Sequence, residues 1–273
     1  MKKILVALIH NHNEERNSRI RPSIQRLVDR LQNDFEVDCR EFSHQPELIP
    51  QPKAIAFCLE ALHEVLDQRW RHYIDDRPKS ILKIVRNLRK TAFRYIANTD
   101  GEADRRCRAG TIAAFVTNKH MKAWNTCLES EAEYLIVVED DAVFRDDSIE
   151  RIASLADFVS DVERPIYVDL AGGFPISTLK IGHLAQDRRG GLTRYRKLVT
   201  NTACAYLLNR KMIDRSMQFL LARPHFRLVA IDWLINWMFM ELEKTGTHGA
   251  CFHMDPPALQ HGSFTGDFDA WER

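Results

Sequence analysis

The run "YLIVVEDDAVF", Tyr134 to Phe144, limits the fold more than any other stretch, because five residues suited to burial lead straight into three consecutive carboxylates. A short continuous apolar run belongs to a strand covered on both faces, as in the sheets of α/β proteins. Acids at the end of such a strand lose hydration and repel one another, so something must offset the cost. In open α/β sheets ligands bind beyond the carboxyl ends of the strands. Glu139, Asp140 and Asp141 therefore stand at a binding rim. While the chain stays extended, alternation sends Glu139 and Asp141 to one side and Asp140 to the other. Oxygen donors of this kind suit Mg²⁺ or Mn²⁺, which commonly share their shell with substrate phosphates. Such an ion offsets the repulsion and neutralises a diphosphate leaving group. Two other readings compete. The acids could cap the next helix, although Asp146, Asp147 or Ser148 supply a cap of their own. They could also form the Asp-x-Asp of an aspartyl-phosphate phosphohydrolase, but the nucleophile position is Glu139 here.

The rest of the chain supports an α/β class. Ile4 to Ile9 is a second continuous apolar run, followed by Ile20, Ile24, Leu27 and Leu31 at helical spacing and then by a strand-like "FEVDCREF". Strand, helix, strand implies parallel pairing through a right-handed crossover. Helices are expected in "AIAFCLEALHEVL", from Ala109 to Ser130, and in "DSIERIASLADFV", "RKMIDRSMQFLL" and "AIDWLINWMFMELEK". Strands are expected in "IYVDL" and "ACAYLLN", a mobile basic loop from Gly182 to Arg196, and turns in the tail "PPALQHGSFTGDFDAWER". Arg77 to Arg94 holds seven bases and no acid, with Ile81, Val85, Leu88 and Ala92 on one helical face. No repeat or Pro/Gly linker divides the chain, so residues 1–273 read as one α/β domain with 67–106 a candidate basic helical insertion.

Composition excludes several classes. A net charge of +1 provides no global field toward nucleic acid, and no run approaches the roughly 20 apolar residues that span a bilayer. Six scattered cysteines without a Cys-x-x-Cys pair argue against a zinc knuckle or a disulfide framework and for reduced thiols in a cytoplasm. The apolar core of the N-terminus is too short for a signal peptide and lacks a small-residue cleavage site.

Order and spacing over roughly the last 165 residues resemble the lipopolysaccharide-biosynthesis glycosyltransferases of family 25, which have the GT-A (Rossmann-like) fold. The likeness rests on "AGTIAAFVTNKHMKAWNTCLESEAEYLIVVEDDAVF", in which Gly110, His120, Trp124, Glu139, Asp140 and Asp141 fall on matching positions. "NTACAYLLNRKMID" and "AIDWLINW" resemble the later Ala-Tyr strand–helix and Asp-Trp helix start. Lys119 replaces the Ser that precedes the His, and "IHNHNEERNSR" replaces the N-terminal Asn-Leu-Asp and its Arg. The resemblance implies a mostly parallel central sheet flanked by helices. It also implies transfer of a hexose such as galactose from a nucleotide sugar, a UDP-sugar being favoured, with inversion. The acceptor would be a hydroxyl of a bacterial surface glycan such as lipopolysaccharide or capsule. The alternative is a sugar-nucleotide or glycan-binding module that has lost turnover.

Within this frame Asp141 is expected to bind Mn²⁺ or Mg²⁺, with Glu139 touching metal, water or ribose, Asp140 supporting, and His261 completing the metal set with Gln260 as its rival. Asp232, at the start of an apolar helix 91 residues beyond Asp141, is the expected catalytic base; its competing role is a helix cap. His120 and, after the first strand, Arg16 and Arg19 are expected near the nucleotide, and Gly172-Gly173, after Asp169, where a sugar approaches the backbone. Each has a plain structural alternative: a packed histidine, a surface charge, an ordinary turn. The basic helix 77–96 suggests a peripheral contact with an anionic inner-membrane surface, each Lys/Arg contributing about 1 kcal/mol, or else a solvated face of a packed helix.

Overall fold

The computed structural model describes residues 1–43, 82, 85–86, 89, 102–159, 163–173, 185–189, 191–195, 198–246 and 249–268. The helix expected in "AIAFCLEALHEVL" and most of the basic segment lie outside them. Its described members Leu82, Val85, Arg86 and Arg89 are helical and exposed, Val85 at 55%.

Eleven strands are described: β1 Lys3–His10, β2 Glu36–Ser43, β3 Tyr134–Glu139, β4 Ala142–Phe144, β5 Ile166–Asp169, β6 Ala171–Gly172, β7 Ala185–Arg189, β8 Leu192–Tyr195, β9 Ala205–Asn209, β10 Ala250–Met254 and β11 Leu259–His261. The helices are α1 Glu14–Leu31, α2 Glu102–Glu129, α3 Ser148–Val159, α4 Arg210–Ala222, α5 Ile231–Lys244 and the short α6 Gly262–Thr265, with a 3-10 turn at Pro224–Leu228. Eight strands form the central sheet in the order β2-β1-β3-β9-β5-β10-β8-β7. β1, β2 and β3 pair in parallel, as do β5 and β10, while β9 and β8 run against their neighbours. Most strands thus share one direction, and the mostly parallel α/β class expected from the sequence is the one observed. The reversed β9 sits centrally, between β3 and β5.

Burial explains the continuous apolar runs. Leu5, Ala7 and Ile9 of β1 and Leu135 and Val137 of β3 enter one core with Trp124, Tyr206 and residues of α4 and α5. Ile4, Val6 and Leu8 with Ile136 and Val138 enter a second core against α1 and α3. The two-residue period of a strand supplies both cores, so each strand must be apolar at every position.

Three features depart from expectation. A hairpin, β7 and β8, occupies much of the stretch expected to be a mobile loop, and Gly191 (φ +77°) makes its turn where a side chain would be strained. The tail is more ordered than its turn formers suggest: β11 pairs with β4 and β6 in a second, three-stranded sheet. β10, "ACFHM", carries a His among its buried residues, and that polar residue hid the strand.

Asn209 couples β9 to its helix. Its Oδ1 accepts the Met212 N–H as the α4 cap and also the Ile166 N–H of β5, each at 3.0 Å, while its amide donates to the Arg164 carbonyl. Losing a cap costs about 1 kcal/mol, and an unpaired buried N–H about 1–3 kcal/mol more. Asn209→Ala should therefore lower unfolding stability by about 2–4 kcal/mol, and Asn209→Asp, which keeps both acceptances, by less. Urea midpoints that coincide for wild type and the Ala variant would contradict this role.

Candidate active site at the carboxyl end of β3

β3 ends at Glu139, and Asp140-Asp141 form a turn before β4. The three acids therefore fan apart. The extended alternation expected from the sequence stops at Asp140, because its N–H bonds the Ile9 carbonyl and the chain then turns toward the small sheet.

Glu139 continues the face of Val137 and meets α2. Its Oε1 lies 2.9 Å from His120 Nε2, and His120 Nδ1 lies 2.8 Å from the Tyr206 hydroxyl. Trp124 Nε1 donates to that same hydroxyl at 3.1 Å. The consistent proton arrangement is Trp124 N–H to Tyr206, Tyr206 O–H to His120 Nδ1, and His120 Nε2–H to Glu139. Burial, with the neighbouring Lys119 cation, lowers the His120 pKa to about 3, so the ring stays neutral. Burial and then Asp141 push the Glu139 carboxyl well above its usual range. His120 thus holds Glu139 and is itself fully covered.

Asp140 turns to the opposite face. It accepts the Asn11 N–H at 3.0 Å and lies 3.5 Å from the Arg16 guanidinium. Its pKa is raised by burial, partly offset by those two partners. Lys119, buried on α2, donates to the His10 carbonyl at 2.8 Å and to the Asn11 side chain. Its pKa is lowered by burial and supported by Asp140 and Glu139. Lys119, which stands where the resembled pattern has Ser, is therefore a buried cation whose charge Asp140 and Glu139 support. Arg19 is exposed and paired with Glu15, whereas Arg16 reaches the site; both guanidinium groups lie over the Phe268 ring, at 5.5 and 5.1 Å.

Asp141 faces the small sheet. Its carbonyl accepts the Gly262 N–H at 2.8 Å, and β11 lays His261 opposite Ala142. Asp141 Oδ2 lies 3.4 Å from His261 Nδ1 and 3.2 Å from Ser263 Oγ, and Oδ1 lies 3.4 Å from Cys204 Sγ. Ligand atoms of Asp141, Cys204 and His261 all fall within 4.8 Å of one another. A carboxylate, an imidazole and a thiol that converge this closely fit a single divalent cation. Glu139 is outside this group, and Gln260, one residue before His261, alternates to the other face of β11 and pairs with Gly172.

The remaining residues serve this frame. A Cβ on Gly172 would come within 2.9 Å of the Pro257 side chain, and one on Gly173 within 2.3 Å of Thr202, so both glycines permit packing of the chain on itself. Asp169 is buried, accepts the Asn201 N–H at 2.6 Å and lies 3.5 Å from His253 Nδ1. Asp232 stands in the first turn of α5, but the cap position is Ala230, which makes no side-chain cap bond; Asp232 Oδ1 accepts the Trp233 N–H at 2.8 Å. Its neighbours Ile231 and Leu234 pack into the core that Leu135 and Val137 enter, so α5 lies on the face of the sheet that Glu139 continues. Sequence reasoning paired Arg16 with Arg19 and missed Lys119 as a site residue, Cys204 and Ser263. Cys204 is separated from Asp141 by 63 residues and comes beside it only because β9 runs antiparallel to β3.

No family model and no curated protein matches the chain. Among solved structures, the crystal structure of mannose-1-phosphate geranyltransferase from Thermus thermophilus is similar over 93% of this chain and 74% of that one, at 12% identity and a TM-score of 0.34. Among the described residues no helix is long and apolar enough to cross a membrane.

Burial also lowers the His253 pKa, to about 4, from an ordinary 6.5. Between those values the unfolded chain takes up a proton that the folded one refuses, so this histidine's stabilisation is complete above pH 6.5 and is lost as pH falls toward 4. Asp169, raised by burial, opposes that slope, so the difference between variants is the informative quantity. Unfolding free energy of His253→Gln should fall less steeply on acidification than that of wild type, by up to about 1.4 kcal/mol per pH unit. Parallel curves would contradict it.

Proposed function

We propose that this chain is a metal-dependent inverting glycosyltransferase. It moves a hexose from a nucleotide sugar, a UDP-sugar being favoured, to a hydroxyl of a bacterial surface glycan. The observation that carries the reading is the convergence of Asp141 and His261 at the carboxyl end of β3, with the helix of Asp232 packed on the face that Glu139 continues. The sequence resemblance supplies the donor and acceptor class.

When bound, a divalent ion supplies Lewis-acid neutralisation of a diphosphate leaving group. Asp141 and His261 would hold it, and Ser263 would orient both, since its hydroxyl lies within hydrogen-bond reach of each. Glu139, fixed by His120, is left to address the ribose or a bound water. Asp232 removes the acceptor proton as an oxocarbenium-like transition state forms. Trp233, partly buried against the main core, shields that position from competing water. Asp232 is not the N-cap residue of α5, and its Oδ1 holds the Trp233 N–H of the first turn, which fixes the carboxylate at the start of the helix.

Asp141→Asn, or wild type in excess EDTA, should lose donor turnover by more than ~100-fold, because the cation's charge is then unbalanced or absent. Normal turnover in either would remove the metal from the reaction. Asp232→Asn should keep thermal stability and UDP-sugar binding but lose acceptor transfer by about 10²–10⁴-fold. Wild-type transfer by that variant, or a product retaining the donor's anomeric configuration, would remove the base. Binding of UDP-sugars with no turnover by wild type would point to a binding module.

A further inference from the structure

Cys204 is the unexpected member of the Asp141 cluster. It lies immediately before β9, and its own carbonyl accepts the Glu139 N–H at 2.8 Å. The backbone thus fixes the thiol beside the acid run. On the other side, the Gly262 N–H bond to the Asp141 carbonyl ties β11 and His261 to the same carboxylate. A Cβ on Gly262 would fall 2.8 Å from the Asp141 carbonyl oxygen, so this close approach needs a glycine.

The carboxylate stands between thiol and imidazole, and each of its oxygens faces one of them, at 3.4 Å in both cases. With bonds of about 2.3 Å to sulfur and about 2.1 Å to nitrogen or oxygen, neighbouring ligands in a tetrahedral shell lie roughly 3.3–3.6 Å apart. Oxygen ligands around octahedral Mg²⁺, at about 2.05 Å, lie only about 2.9 Å apart. The two carboxylate edges therefore match those of a four-coordinate shell, and all three ligand atoms lie within 4.8 Å of one another. The donor set points the same way: thiolate and imidazole select borderline-soft ions, whereas Mg²⁺ and Mn²⁺ favour carboxylate, carbonyl and water.

We propose that Cys204, Asp141 and His261 form a site for a borderline-soft divalent cation of the Zn²⁺, Co²⁺ or Fe²⁺ class, with Cys204 bound as the thiolate. This deepens the proposed function, on whose metal-dependent reading it rests, by naming the class of ion. On binding, the S–H bond of Cys204 breaks and a metal–sulfur bond forms, the proton passing to solvent. Without an ion the Cys204 S–H donates to Asp141, and the His261 ring lies within ion-pair distance of the same carboxylate and hydrogen-bonds Ser263. The remaining position is open to water or a phosphate oxygen, as in catalytic zinc sites.

The test is absorption spectroscopy of the full chain titrated with Co²⁺, together with dye-competition affinities for Zn²⁺, Co²⁺ and Mn²⁺. Wild type should develop a thiolate-to-cobalt charge-transfer band at one equivalent and bind Co²⁺ and Zn²⁺ more tightly than Mn²⁺. Cys204→Ser should lose the band and bind Co²⁺ and Zn²⁺ about 10–100-fold more weakly, with a far smaller change for Mn²⁺. Should that buried substitution fail to fold, His261→Ala, at a part-exposed position, should keep the band and weaken binding of all three ions. A wild-type Co²⁺ complex without the band overturns the assignment, whatever the variants do. If nucleotide-sugar turnover with Mn²⁺ accompanies that result, the proposed function survives and this inference does not. A band in a protein that turns over no nucleotide sugar has the opposite meaning.

Discussion

Three carboxylates at the end of one buried strand are the constraint on which the site depends. Unscreened, such neighbours repel by about 4 kcal/mol per pair at 4 Å and an effective dielectric near 20, a large share of the stability of an ordinary domain. The fold answers by separating them. The turn at Asp140-Asp141 sends each acid to a different partner: Glu139 to His120, Asp140 to Asn11 and Arg16, Asp141 to Cys204, Ser263 and His261. The buried Lys119 ammonium lies where it supports the charges of Glu139 and Asp140. Asp141 is the member of the trio whose neighbours, Cys204 and His261, are themselves groups that can bind a metal.

The chain behind Glu139 is rigid for a physical reason. Trp124, Tyr206 and His120 are buried, and each commits its polar atoms to the next. A buried polar network of this kind specifies one arrangement because any broken member leaves an unpaired group in a medium that punishes it. The aromatic stacking of Tyr206 on both His120 and Tyr167 anchors the chain in the main core. A ring held neutral and fully covered is suited to positioning a carboxylate and unsuited to touching a substrate.

Much of this was legible in the sequence, and the limits were physical. Continuous apolar runs at Ile4–Ile9 and in β3 identified strands covered on both faces, and the acids after β3 identified the rim. Periodicity located α1, α3, α4 and α5. What a single sequence could not supply was the company of residues brought in by strand order. The antiparallel insertion of β9 between β3 and β5 brings Cys204 to Asp141, and the pairing of β11 with β4 brings His261 and Ser263. Arg16 and Arg19 lie less than one helical turn apart, so only the packing of α1 decides which reaches Asp140. The tail was read as turns because short strands with Pro and Gly neighbours carry little periodic signal.

We propose that a cation and a diphosphate meet at Asp141. The most direct measurement is a crystal structure grown with UDP and a divalent transition metal, with data collected at that metal's absorption edge. An anomalous peak bonded to an Asp141 oxygen and to a UDP diphosphate oxygen is expected. UDP bound elsewhere on the chain, or bound beside Asp141 with no ion between them, would contradict it.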